Sequence, residues 1–285
     1  MDFEVYQEDT PEMARFRQEV RSWLGGNLPA TPRPGPAENS TPEWTVRLEE
    51  ARREFRRRLG AQGWLVPTWP KEFGGAGLSA DYAAIINEEL ARADAPPVRD
   101  QGMDRFAPAC FVYGTDEQKR RWLTQVARGD VLISWVCTEP EAGSDLASLR
   151  TRGIRDGDEY IVSGSKHFIS GVDDPDYLFT IVNTDPNAPR HENLSTLLIP
   201  ATLPGITIQR MDLIAMEDFG GGQHFVYFDN VRVPAEYLVG PHNKGWAVAN
   251  TTLEVEHGGQ GSPGGESARE SLVARVIAYL VEAGA

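Results

Sequence analysis

Cysteine, positive charge and long apolar runs are all scarce in this sequence of 285 residues. Only Cys110 and Cys137 are present, too few for a disulfide framework, so a reducing compartment and hence the cytoplasm is expected. Lys and Arg number 28 against 42 Asp and Glu, and the net charge of −14 argues against nucleic acid or an anionic membrane as a partner. No apolar run approaches the ~20 residues of a membrane span. The acidic start, Met1 to Glu4, lacks the pattern of a signal peptide.

The chain is long enough for more than one core, and 40% of its residues are hydrophobic. Apolar residues recur at helical spacing over 11–24, 43–59 and 81–93, whereas the proline-rich stretch 27–42 has no period and is predicted to be a loop. Thr115 and Gln118 have the spacing of a capping box, which predicts a helix from there to Arg128. The arginines of 52–58 alternate with glutamates, a pattern typical of a solvated helix face.

Near Gly129 the pattern changes to short β-branched and aromatic runs at 131–133, 160–162, 177–182, 196–199 and 224–228. Helical potential returns at 245–250. We therefore predict an α+β fold with an all-helical domain (1–129) and a small antiparallel β-barrel or sandwich (130–240). The start of a further helical bundle (241–285) follows, interrupted by glycines and Pro263 within 258–265.

The segment 135–145, Trp-Val-Cys-Thr-Glu-Pro-Glu-Ala-Gly-Ser-Asp, is the most informative part of the chain. An apolar strand ends there in a polar turn. Gly143 allows close backbone approach to a ligand, and the hydroxyls of Thr138 and Ser144 can donate to a flat heterocycle. A well-capped turn with no ligand is the alternative interpretation of these residues.

The whole segment resembles the flavin-binding signature of the acyl-CoA dehydrogenases. The second signature of that family is similar to 156–170, which ends in His167-Phe168-Ile169-Ser170. The stretches 69–78, 88–92 and 114–119 also fit, so the resemblance extends over roughly residues 10 to 260.

The resemblance implies FAD as cofactor, an acyl-CoA as substrate and an electron-transfer flavoprotein as electron acceptor. It assigns the following residues to FAD: Trp135, Cys137, Thr138, Gly143, Ser144, Phe168, Ile169 and Ser170. The family usually has Trp and Thr where this chain has Phe168 and Ser170. Phe keeps the apolar face and Ser keeps the hydroxyl, although a purely structural role for Phe168 and Ile169 is the alternative.

The resemblance also suggests Glu256 as the catalytic base, on the helix that begins near Gly245. Ser144, Glu254 and His257 would contact the CoA arm. His257 stands where many relatives have Arg, and this change removes a permanent charge from that contact.

Family members usually continue for roughly another hundred helical residues, so we expect most of the C-terminal bundle to be missing from this sequence. Two alternatives to a lipid-metabolising, β-oxidation-type dehydrogenase stay open. One is a flavin-poor subunit of a heteromeric dehydrogenase, and the other is a flavin monooxygenase or oxidase on the same fold. Assembly as a homo- or hetero-oligomer, such as a dimer or homotetramer, is expected in either case.

Other polar clusters give weaker evidence of a functional site. The five histidines have no metal-ligand spacing with one another or with the cysteines, and His167 is predicted to be a strand residue. The aspartates of 173–176 lack the glycine and alternating ligands of a calcium loop and predict a solvated hairpin turn.

Overall fold

The computed structural model describes residues 9–29, 42–171, 173–211 and 222–256. Within these ranges the first half is helical: α1 Pro11–Asn27, α2 Pro42–Ala61, α3 Ala80–Arg92, α4 Ala107–Tyr113, α5 Asp116–Gln118 and α6 Thr124–Arg128. A π-helical segment, Gly102–Phe106, leads into α4, and a second, Lys119–Leu123, joins α5 to α6. The predicted loop at 27–42 and the segment 258–282 lie mostly or wholly outside the described residues.

The strands and the last helix follow in chain order. They are β1 Ile133–Val136, β2 Arg152–Asp156, β3 Glu159–Gly171, β4 Tyr177–Asn183, β5 Leu194–Pro200, β6 Ile206–Met211, β7 Gly222–Pro234, β8 Leu238–Val239 and α7 Gly245–Glu256. This arrangement confirms the predicted fold class of helices, then a β unit, then a further helix. No helix in the described part of the chain has both the length and the hydrophobicity to cross a membrane.

The helical part is held by an apolar core and by one buried carboxylate. Leu24, Phe55 and Trp122 are buried in a core that continues into the sheet through Phe179. Glu89 on α3 is only 2% exposed. Its two oxygens accept hydrogen bonds from Arg17 and Arg21 on α1, so this carboxylate ties the two helices together.

Helix α5 begins with the predicted capping box. The Thr115 side chain accepts from the Gln118 amide at 3.2 Å, and the Gln118 side chain accepts from the Thr115 amide at 3.0 Å. These two bonds satisfy amide groups that a helix N-terminus otherwise leaves without partners.

The prediction that the arginines of 52–58 form one solvated face is wrong for Arg56, which is 2% exposed. Its guanidinium donates to the Val98 carbonyl and forms an ion pair with Asp100 at 3.0 Å. The alternation with glutamates does describe Arg58, which pairs with Glu54 at i,i+4. Arg56 differs because α2 turns that position towards the segment that precedes α4.

The strands form one curved sheet in the order β6-β7-β3-β2-β4-β5-β8, and β1 pairs with β4. Most neighbours are antiparallel, as predicted, but β1 lies parallel to β4 and β2 makes one parallel pair with β4. The β2–β3 hairpin lies between β1 and β4 in the sequence. The chain therefore returns to the same end of the sheet before β4 begins.

Helix α7 is seated directly against β5. A Cβ atom on Gly245 would lie 2.6 Å from the Ser195 backbone, so no larger residue fits there. The Ser195 hydroxyl also accepts from the Asn243 amide at 2.9 Å. The sheet thus sets the position at which α7 starts.

Candidate functional site

Two segments lie next to each other: the loop after β1 (137–145, here the signature loop) and the C-terminal part of β3 (167–170). The His167 amide donates to the Thr138 carbonyl at 2.8 Å, which joins them directly. Both were predicted to contact the flavin, and the fold brings them side by side.

The signature loop closes on itself at its base and is open at its tip. Glu139 and Ala142 exchange backbone hydrogen bonds of 3.0 and 3.2 Å around Pro140. Gly143 and Ser144 are exposed, and a Cβ on Gly143 would meet no atom within 4 Å. Among the described residues the Ser144 hydroxyl has no partner, so it is free to bind a ligand.

The second segment contains a β-bulge. The pairing of β3 with β7 shifts register between Lys166 and Ile169. Phe168 lies in that shift with a φ of +55°, a left-handed conformation that is unfavourable for a bulky residue, and the residue is 56% exposed. The bulge therefore turns a large apolar side chain away from the core and towards solvent beside the signature loop.

The predicted flavin residues differ in what they can present. Thr138 is half-buried, and its hydroxyl lies 3.6 Å from the Cys137 sulfur. Ser170 is exposed and accepts from the Gln223 side chain, so its own hydrogen can still be donated. The side chains of Trp135 and Ile169 are buried, Trp135 against Phe179, so these two residues present backbone groups only.

Residues that sequence reasoning missed hold these segments in place. Gln101, just before the π-helical segment Gly102–Phe106, accepts from the Trp135 amide at 2.5 Å. The buried His224 on β7 has Nδ1 3.1 Å from the Ile169 carbonyl and Nε2 2.7 Å from Asp173. The hydrogen bond from His224, with help from Arg210, keeps the pKa of Asp173 below its usual range.

A buried ion pair was also missed. The Lys166 ammonium, which is fully buried, lies 2.9 Å from Glu139 beneath the signature loop. Burial alone would raise the pKa of Glu139. The Lys166 charge and the hydrogen bonds from Thr151 and Arg150 outweigh burial and hold that pKa below its usual range. Glu139 was visible in the sequence only as part of Thr-Glu-Pro, and nothing linked it to a lysine 27 positions later.

The tip of the signature loop contacts the β4–β5 loop. Asp145 and Arg190 form an exposed ion pair there. The next residue, His191, stacks on Trp246 of α7 with ring centroids 4.4 Å apart. These contacts make a rim that runs from Ser144 to the first turn of α7.

The groups around the two segments fit a flavin. An exposed apolar ring, three hydroxyls with donor capacity and an open glycine backbone match a flat, partly polar heterocycle. Thr138, Ser144 and Ser170 would hold its polar edge, and Phe168 would cover an apolar face.

The predicted substrate and base residues lie at the end of the described chain. Glu254 is exposed on α7. Glu256 is the last residue of α7, and its side chain lies outside the described part, as does all of His257. Their roles stay predictions.

The remaining polar residues considered in the sequence are the histidines and the aspartates of 173–176, and these aspartates connect β3 to β4, which are not neighbours in the sheet, so the predicted hairpin turn is wrong. His167 is a strand residue in β3. Among the described residues no group of three or more His, Cys, Asp or Glu could hold a metal ion. Asp173 and Asp174 are exposed, but Asp176 accepts from the Leu132 amide at 2.7 Å and pairs with Arg53, so this turn is more closely tied to the fold than predicted.

Comparison with known proteins gives two adjacent family matches. Residues 10–130 match the acyl-CoA dehydrogenase N-terminal domain, and residues 134–231 match the acyl-CoA dehydrogenase middle domain. The chain is 37% identical to the acyl-CoA dehydrogenase FadE26 of Mycobacterium tuberculosis. That match covers 87% of this chain and 60% of the relative, so the chain spans about three fifths of that protein.

Two solved structures are also similar. A variant of the Tcur3481–Tcur3483 steroid ACAD superposes with a TM-score of 0.71 at 33% identity, over 96% of this chain and 68% of that one. The ChsE4–ChsE5 complex of Mycobacterium tuberculosis gives a TM-score of 0.69 at 36% identity, over 88% of this chain and 61% of that one.

Proposed function

Because this chain belongs to the acyl-CoA dehydrogenase family, we propose that it carries the flavin-binding part of an enzyme that oxidises an acyl-CoA thioester. The product would be the trans-2-enoyl-CoA. The observation that carries the proposal is the meeting of the two segments through the His167–Thr138 hydrogen bond. This contact joins the segment with the exposed Phe168 ring to the start of the loop that contains the free Ser144 hydroxyl and the open Gly143 backbone.

The reaction separates a proton from the α-carbon and a hydride from the β-carbon, leaving a double bond between them. The proton is weakly acidic and needs a carboxylate base close to it. Glu256 is our candidate for this base, and its helix starts at a position set by β5. When bound, FAD supplies the two-electron oxidation by accepting the hydride.

The side chains around the signature loop would bind and orient rather than react. Thr138 and Ser170 would donate to the polar edge of the ring, and Phe168 would keep water from its apolar face. Ser144 lies at the end of the rim that leads to α7, which suits contact with the CoA arm, together with Glu254 and His257. An electron-transfer flavoprotein would take the electrons onward.

A hetero-oligomeric dehydrogenase, in which this chain could be a flavin-poor subunit, is the second candidate. Two of the similar solved structures are named for pairs of chains, Tcur3481–Tcur3483 and ChsE4–ChsE5. The first of these is also named a steroid ACAD, which favours a ring-bearing acyl group over a simple fatty acid as the substrate to test.

The test is a titration of the full chain with FAD, followed by absorbance and fluorescence of the flavin. Binding with a shifted visible spectrum supports the first proposal. The double variant Thr138→Val with Ser144→Ala should weaken the binding of FAD. Reduction of the bound flavin by straight-chain and ring-bearing acyl-CoAs then identifies the substrate class, with an artificial acceptor for turnover. A folded chain that never binds FAD contradicts the first proposal and favours the second, and peroxide formation in air would indicate an oxidase.

A further inference from the structure

The Glu139–Lys166 pair lies beneath both segments of the candidate flavin site. The Lys166 side chain has no exposed surface, and that of Glu139 is 5% exposed. Glu139 lies in the signature loop, and Lys166 lies in β3 directly before the second segment, two residues before Phe168 in the bulge.

Glu139 fixes the base of the signature loop. Its Oε2 accepts from the Arg150 amide at 2.6 Å, and its Oε1 accepts from the Thr151 amide at 2.9 Å. The carboxylate thereby ties the start of the loop to the chain that leaves it eleven and twelve residues later. The exposed tip, with Gly143 and Ser144, is carried between these two fixed points.

Lys166 fixes the strand beside that loop. Its ammonium group has three donors, and all three have partners: the Cys137 carbonyl at 3.1 Å, the Ile181 carbonyl at 2.8 Å and Glu139 at 2.9 Å. The next residue, His167, donates its amide to the Thr138 carbonyl. One side chain therefore holds β3, β4 and the start of the signature loop at a fixed spacing.

A buried ion pair is weak evidence for a role in stability. Well-packed apolar residues of similar volume usually replace a buried ion pair at no loss of stability, whereas removal of one partner leaves an unpaired buried charge. A fully satisfied buried pair at this place suits a geometric role, because its hydrogen bonds have directions that apolar contacts lack.

We propose that Glu139 and Lys166 are positioning residues that set the distance between the signature loop and the Phe168 bulge for flavin binding. This inference rests on the proposed function. Neither side chain contacts the ring in this scheme. They act through Thr138 and the Phe168 bulge, which do.

The test is a double-mutant cycle in the full chain with Glu139→Gln and Lys166→Met. Each single variant should lower the melting temperature, because it leaves one buried charge unpaired. The double variant removes both charges and should regain most of that loss. If the pair is merely structural, the FAD affinity of the double variant should recover together with its stability. If the pair positions the two segments, the Kd of the double variant for FAD should stay at least tenfold higher than that of the wild type.

A matched control is the exposed pair of Arg232 with Glu159, which lies on the same strand β3 and its neighbour β7. The double variant Glu159→Gln with Arg232→Met also removes one negative and one positive charge, but at a site away from the signature loop. It should leave the Kd for FAD unchanged.

Recovery of wild-type FAD affinity in the Glu139–Lys166 double variant would overturn the positioning role while leaving the proposed function intact. A folded wild type that does not bind FAD would overturn the proposed function, and the positioning role with it.

If the double variant does not fold, Glu139→Gln alone decides, since its amide oxygen can still accept from Thr151. Weaker FAD binding together with faster alkylation of Cys137 supports the role, and wild-type values of both contradict it.

Discussion

The Gln101 side chain accepts a hydrogen bond from the Trp135 backbone amide at 2.5 Å, across the boundary between the helical part and the sheet. Gln101 precedes the π-helical segment that leads into α4, and Trp135 lies in β1, directly before the signature loop. The bond therefore fixes the position of β1 relative to the helices, and β1 leads directly into the candidate flavin site.

Replacement of Gln101 by Leu should destabilise the fold by about 1–3 kcal/mol, because it leaves a buried amide without an acceptor. Urea unfolding measures this loss. The control is Gln62→Leu at an exposed position, which should change the free energy of unfolding by less than ~0.5 kcal/mol. Equal effects of the two substitutions would mean that the Trp135 amide finds another partner.

Glu89→Gln should weaken the contact between α1 and α3. The carboxylate is buried, but Arg17 and Arg21 reach solvent and can be rehydrated, so we expect a loss of about 1–3 kcal/mol. Glu88→Gln, at the exposed neighbouring carboxylate that also pairs with Arg17, is the control and should cost less. Similar losses for the two variants would argue against a special role for the buried carboxylate.

The effect of Glu89→Gln should also depend on pH. Hydrogen bonds from Arg21 and Arg17 hold the pKa of Glu89 below its usual range. The stabilisation is therefore fully present above the ordinary pKa of glutamate and is lost as the pH falls through the lower pKa in the folded state. Unfolding curves of wild type and variant should converge in that acidic range, and a constant difference would contradict this account.

The two cysteines offer a test of where a ligand binds. Burial raises the pKa of Cys110 to about 12, so it should resist iodoacetamide at about pH 8 until the chain unfolds. Cys137 is half-buried beside Thr138 and should react. If FAD covers the signature loop, FAD at ~10 times its Kd should slow the alkylation of Cys137 about tenfold. Mass spectrometry of the two peptides reads both rates, and an unchanged rate for Cys137 would remove this loop from the binding site.

Phe168→Asn should separate stability from function. The ring is mostly exposed and the backbone is left-handed, a conformation that Asn tolerates better than Phe, so stability should stay equal or rise by up to ~1 kcal/mol. FAD binding should weaken because the apolar cover is lost. Phe168→Trp restores the residue usual in the family and should retain the affinity. Loss of stability without loss of FAD binding in the Asn variant would assign Phe168 to the core.

Glu256→Gln should lower kcat by about 10²–10⁴ with little change in the affinity for FAD or acyl-CoA, as expected for removal of a general base. Glu254→Gln is the control two positions earlier. It should raise KM for the CoA thioester while kcat changes little. A Glu256→Gln enzyme with wild-type kcat would show that the base lies elsewhere.

Helices with a regular apolar stripe were predictable to within a few residues. Pro11–Asn27 and Ala80–Arg92 are examples, and the Thr115 capping box was read correctly from two residues. The helical stretch from Gly102 to Tyr113 was missed because a glycine and Pro108 stand in an almost unbroken apolar run, which shows no amphipathic period. Strands β2 and β6 were missed because both are largely exposed and neither contains a continuous apolar run.

The exposed parts of the site were more predictable than the groups that support them. The glycine, serine and threonine of the signature loop indicate a capacity to bind a ligand by their residue types alone. The supporting contacts are long-range pairs, such as Lys166 with Glu139 and Gln101 with Trp135. No local sequence pattern links the two partners of such a pair, and only the fold brings them together. Arg56 was misread for the same reason, since its acceptors Val98 and Asp100 lie more than forty positions away.

The absence of a side chain at Gly245 has a consequence for engineering this chain. Because the first turn of α7 rests on the Ser195 backbone, a shift of β5 should displace the start of the helix that ends at Glu256. Changes to the packing beneath β5 would therefore be a way to shift α7, and with it the proposed base Glu256, without any substitution in the signature loop.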